Sequence, residues 1–131
     1  MLKTIHELYN VNKIELNKDS TSLEIWFNSV IDKNIKQITL SDVLKMIRQQ
    51  LFLEIALNKA IEFLKDNPFI GEYYSGELIE HLLKINPILL KNFEKDIKKI
   101  YSNIKTNINN VSDEEKYEIE QASQKIINLI K

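Results

Sequence analysis

Histidine, cysteine and paired carboxylates carry most protein-side chemistry, and this chain offers few of them in a useful register. Cysteine is absent, which removes thiolate nucleophiles, thiolate metal ligands and disulfides together. Of the two histidines, His6 has Lys3 three residues before it and His81 has Leu78, so the Glu-x-x-His pairs of di-iron helical bundles are missing. Glu77 and His81 stand one helical turn apart, yet two ligands do not complete a metal site; a solvated pair is expected there. No Gly-x-Ser-x-Gly turn exists, and two glycines in all, Gly71 and Gly76, cannot build a phosphate-cradling loop. Acids are common, but no two are singled out as a catalytic pair. A metal, a cofactor and catalysis are therefore not expected.

Nucleic-acid binding fares little better. The 18 basic residues are balanced by 19 acidic ones, leaving a net charge of −1, and every base except Arg48 is lysine. Residues 41–66 could be spaced as a helix-turn-helix, but the reading helix would offer Glu54, Asn58, Lys59, Glu62 and Lys65, a mixed face where phosphate contact needs a basic one. Lys91, Lys95, Lys98, Lys99 and Lys105 form the better basic candidate. Glu94 and Asp96 interrupt them, as on an ordinary solvated helix face. A helical nucleic-acid-binding or regulatory module is the alternative reading.

One segment differs in kind. Between Asp66 and Glu80 lie four acids, Asp66, Glu72, Glu77 and Glu80, with Phe69, Tyr73 and Tyr74 among them and no lysine or arginine. Glu77 and Glu80 are expected on one helix face, fed by a loop carrying Glu72. Tyrosine offers large contact area at small entropic cost, and carboxylates around it would steer a basic partner. Residue types alone equally describe a helix start whose acids are solvated while Phe69 and one tyrosine pack inward.

The elements that must position these residues read as helices. Scarce glycine and apolar residues at intervals of three and four predict an all-α, single-domain irregular helical bundle of about six to seven helices. Capping boxes at Thr4–Glu7, Thr21–Glu24 and Ser112–Glu115 place three helix starts, and Thr39-Leu-Ser-Asp42 opens a fourth, its aspartate complementing the dipole of the first turn. The first helix is short, near residues 4–10, and residues 11–19 are irregular. The second carries the stripe Leu23, Trp26, Phe27, Val30 and Ile31, with Trp26 as a core anchor. Leu51-Phe52-Leu53 has no clear face, implying deep burial or a bend. The next helix ends at Asp66-Asn67-Pro68, because a residue before proline avoids helical backbone. Residues 67–75 form a loop, and a helix runs from Gly76 to Ile85. Asn86-Pro87 pairs a cap with proline at the first helical position, opening one long helix towards Lys105. The last helix follows Ser112.

At 131 residues the chain can bury roughly two-thirds of its unfolded surface without a staple. Its first residues lack the apolar core of a signal peptide, and no run approaches membrane-span length. A cytoplasmic protein is expected, and the lysine, isoleucine and asparagine bias fits an AT-rich bacterial genome.

An ordered set of features in the central stretch resembles a family of small bacterial immunity proteins of contact-dependent growth inhibition systems. These are Thr39 and Asp42, Ile47-Arg48-Gln49, Leu51 to Leu53, the helix through Leu57, Ala60 and Ile61, the Asn67-Pro68 turn, and Gly71…Tyr74-x-Gly76-Glu77-Leu78-Ile79. The Thr4-x-x-Glu7-Leu8 opening is similar too. Asn58 departs from the family, which often has proline there, and residues 86–131 have no counterpart in the resemblance. The family-like part is thus about 4–85, with a helical extension over 86–131. The resemblance implies a protein that binds the cognate toxin domain, the C-terminal region of a large secreted effector, and blocks it. It gives Glu72, Tyr73, Tyr74, Glu77 and Glu80 a role as the partner-binding surface. A rival within the same reading places specificity on the unmatched helices.

Overall fold

The computed structural model describes residues 2–131 and is all-α. Thr4, Thr21 and Thr39 open α1 (Ile5–Tyr9), α2 (Ser22–Val30) and α3 (Leu40–Gln49). Each hydroxyl accepts from the third helical N–H while the acid at that position accepts from the threonine N–H. The Ile5 and His6 amides donate to Lys33 and Ile31 carbonyls, which docks α1 against the end of α2. Residues 11–20 run irregularly alongside, tied to α2 where the Asn28 amide brackets the Ile14 backbone at 2.7 Å. Of the stripe expected on α2, Leu23 is left 41% exposed; Trp26, Phe27, Val30 and Ile31 pack inward.

Leu51-Phe52-Leu53 is a bend. Gln50 and Phe52 both take left-handed backbone, φ 56° and 50°, and reverse the chain from α3 into α4 (Leu53–Asp66). Left-handed backbone costs an L-residue roughly 1–2 kcal/mol. Packing offsets this at Phe52, whose ring lies 4.9 Å from Tyr9 and 5.9 Å from Phe27. Gln50 fixes the turn by donating to the Ile47 and Lys84 carbonyls. Asn58 sits on the exposed side of α4, which runs through it unbroken. The helix stops at Asp66, with Asn67 extended before Pro68.

Two expected helices are corrected. The one starting after Gly76 is short: α5 (Glu77–His81) tightens at once into a 3₁₀ turn, Leu82–Lys84. The long helix expected from Pro87 is two, α6 (Pro87–Lys91) and α7 (Glu94–Asn107). The Asn92 and Phe93 amides bond to Leu89 and Leu90, three residues back, so the last turn of α6 winds tight and the axis redirects. Sequence could not show this break, since Leu90, Phe93, Ile97, Ile100 and Ile104 continue one apolar stripe across it. Tertiary packing requires it: α6 lies against the last helix, whereas α7 must cover both that helix and α4. After a 3₁₀ turn at Ile108–Asn110, α8 (Asp113–Ile130) completes eight α-helices among the described residues.

One continuous core joins all of this, from Ile5 through Leu44, Leu57, Leu78 and Leu90 to Ile130. Residues 86–131 share it, because α8 packs against α5, α6 and α7. Among the described residues no helix is long and apolar enough to cross a membrane.

Candidate functional site

The loop between α4 and α5 is built to hold one shape. The Phe69 carbonyl accepts from Gly76 N–H at 2.8 Å and the Ile70 carbonyl from Leu78 N–H at 3.2 Å, closing its base. Glu77 then folds its side chain back underneath. It is 3% exposed, and one carboxylate oxygen accepts from the Glu72 and Tyr73 amides at 2.7 and 3.1 Å. From the other side, Glu115 at the start of α8 accepts from the Ser75 amide at 2.9 Å.

Both glycines are required by this closure. A Cβ on Gly71 would meet the Tyr74 carbonyl oxygen at 1.9 Å, and one on Gly76 would meet Ile119 at 2.4 Å, with Gly76 also at φ +85°. The chain is thereby cinched between α5 and α8, and the residues at its crest point outward. Tyr73 is 79% exposed and Tyr74 45%. The Tyr74 hydroxyl donates to Glu80 at 2.8 Å. Burial of its inner edge and the Glu80 carboxylate beside it push that phenol up to about 12.

Three of the expectations need correction. Glu77 and Glu80 do not share a surface: Glu77 is inside, supporting the loop, and Glu80 is at the rim. Glu77 and His81 are not a solvated pair either. His81 is buried, its Nδ1–H donates to the Glu77 carbonyl at 2.8 Å, and its Nε2 faces Arg48 at 3.4 Å. Burial, with Lys84 and Arg48 nearby, pulls the imidazole below its ordinary value of 6.5 against the Glu77 carbonyl. Finally, Ser112 caps α8 by accepting from Glu115 N–H, but the Glu115 carboxylate reaches the serine hydroxyl and Ser75 instead of the Ser112 N–H. Those two donors hold the Glu115 carboxyl below the usual range. Its role in the loop was invisible to sequence, which marks only a capping position. Of the aromatics, Phe69 packs against the core and both tyrosines face out.

Beside Tyr74 a groove of about 370 Å³ runs between α5 with its 3₁₀ turn and α8. His81 and Ala122 form its floor. Elsewhere, the lysines of α7 are exposed, and Lys98 and Lys65 pair with Glu94 at 3.3 Å and Asp96 at 2.7 Å. Helix α4, the reader in a helix-turn-helix arrangement, is a central element here with Lys59 buried. Among the described residues no three histidines and acids cluster as a metal site would need.

No curated protein matches the chain. A family model described as CDI immunity proteins matches residues 7–100. That range takes in α2 to α6, the tyrosine loop and the first half of α7, and so runs beyond the Ile85 limit of the sequence resemblance. Thr4 and the whole of α8 lie outside it. With most of its length matched, and the Thr39–Asp42 helix start, the Asn67-Pro68 turn and the glycine-closed loop in place, the chain belongs to the family of CDI immunity proteins.

Proposed function

We propose that this protein binds the toxin domain of its cognate contact-dependent growth inhibition effector and neutralises it stoichiometrically, in the cytoplasm of the producing cell and without turnover or cofactor. The observation that carries the reading is the loop at residues 67–76: its backbone is fixed by the buried Glu77 carboxylate, the partly exposed Glu115 carboxylate and two obligatory glycines, while Tyr73 and Tyr74 stand exposed. A surface ordered before binding loses little entropy on association. Tyr73 and Tyr74 serve as anchors, with Glu72 and Glu80 steering a basic partner at their rim. Glu77 contributes from inside, as the strut that presents them. A stable complex of this kind covers about 800 Å² on each partner.

The test is titration of the purified chain against the cognate toxin domain. Replacing Tyr73, Tyr74 and Glu80 together by alanine is expected to weaken binding about 100-fold or more, and cells carrying the triple variant lose protection. Unchanged affinity in a variant that melts like the parent removes this surface from consideration. Salt-dependent retention of RNA or DNA by the free protein would instead favour the α7 lysines and the regulatory alternative.

A further inference from the structure

The groove beside Tyr74 has one wall inside the family-matched range and one outside it. Tyr74, Glu80 and Lys84 line the first, and Glu118, Gln121 and Lys125 of α8 line the second. The two walls run in the same direction away from the loop, since Ser75 is bonded to Glu115 and Gly76 abuts Ile119 at the near end. Charge is consequently sorted along the groove. Glu80, bonded to Tyr74, and Glu118, about one turn past Glu115, sit towards the loop end; Lys84 lies one turn further on the first wall, and Lys125 two turns further on the second. At 1.5 Å per residue, Glu118 and Lys125 are about 10 Å apart along α8. Among the described residues none of these four charges forms an intramolecular ion pair, although five such pairs occur elsewhere.

Unpaired, sorted charges flanking a groove are an electrostatic address. Resting on the function proposed above, we infer that the groove receives a segment of the toxin domain with a cationic side chain beside Glu80 and Glu118 and an anionic one about 6 to 10 Å further on, between Lys84 and Lys125. Helix α8 thereby sets which toxin is accepted. The first wall and the tyrosine loop lie within the family-matched residues 7–100, and the second wall lies outside them. A partner with the opposite polarity brings like charges together at both ends and is rejected.

The experiment exchanges the α8 charges, Glu118→Lys with Lys125→Glu, which reverses the polarity of that wall and leaves net charge unchanged. Both positions are exposed, so the fold is expected to survive, as a thermal melt would verify. Affinity for the cognate toxin domain is measured beside wild type and Tyr73→Ala. The expected result is a loss of about tenfold or more. A change smaller than about threefold, with Tyr73→Ala still weakened, overturns the sorted-charge groove and leaves the proposed function standing. If the wild-type chain does not bind the toxin domain, the functional reading fails and takes this inference with it. Should the exchanged variant melt early, Glu118→Gln with Lys125→Gln carries the same test, with a loss of about threefold or more expected and a smaller one overturning the inference.

Discussion

Two buried carboxylates organise two regions of this molecule, and they do so with different partners. Asp42, at the start of α3, accepts from the Trp26 indole at 2.9 Å, the Lys33 ammonium at 2.6 Å and the Thr39 amide at 3.0 Å. Burial raises its pKa, but those donors outweigh burial and hold it below the usual carboxylate range. Its side-chain donors come from α2 and the turn that follows it, so the carboxylate joins α2 and α3 into the scaffold. Among the described residues no cation pairs with Glu77. Its side-chain bonds go to loop amides, and the residues bearing those amides, Glu72 and Tyr73, project outward. The same chemical device therefore builds framework in one place and a presented surface in the other. What separates them is whether the donors include side chains of a neighbouring segment, as the Trp26 indole and Lys33 ammonium do, or are only the backbone of an exposed loop.

Breaking each strut should expose that difference. Asp42→Ala strands the Lys33 ammonium and the Trp26 indole and is expected to cost about 3 kcal/mol of global stability, read by denaturant unfolding, without altering the loop in particular. Glu77→Ala should cost about 2 kcal/mol, with loss of amide protection at Glu72 and Tyr73 in hydrogen exchange. Its distinguishing result is impaired toxin binding at temperatures where the core remains folded. Glu77→Gln sharpens the point, because a single oxygen receives both amides and a carboxamide oxygen can replace it. Its cost should fall to about 1 kcal/mol or less, with exchange protection retained. Equal loop protection in the alanine and wild-type proteins would show that the glycines and Glu115 suffice without the strut.

A smaller effect concerns pH. His81 has a lowered folded-state pKa, so between its ordinary value of 6.5 and that lower value the unfolded chain binds more protons than the folded one. Its contribution is present above pH 6.5 and is lost as pH falls through the window below it. Thermal melts should show stability declining on acidification before the carboxylates titrate, and His81→Gln should flatten that decline. A shallow slope that persists unchanged in the variant would assign it to another group. The smallest effect is spectroscopic: Tyr74 should form phenolate above the ordinary tyrosine value of 10.0, at about 12, and Glu80→Gln should advance it. Normal titration of Tyr74 in the folded protein would mean that the Tyr74–Glu80 bond is not maintained in solution.

Sequence by itself determined the helical class, the three threonine-capped starts, the stop at Asn67-Pro68 and the choice of 66–80 as the segment apart. Those features are local: a capping box acts over four residues, a proline on its neighbour, and an amphipathic stripe over a few turns. Only the tertiary structure decided which members of the segment face out. Glu77 and Glu80 look alike three positions apart, yet the loop amides above one helix start draw Glu77 in, while Tyr74 holds Glu80 at the rim. The Asn92–Phe93 break, the Glu115 bond to Ser75 and the pairing of α8 with α5 into a groove share the same character. Each arises where residues distant in the chain compete for one donor or one patch of core, and that competition leaves no mark on local spacing.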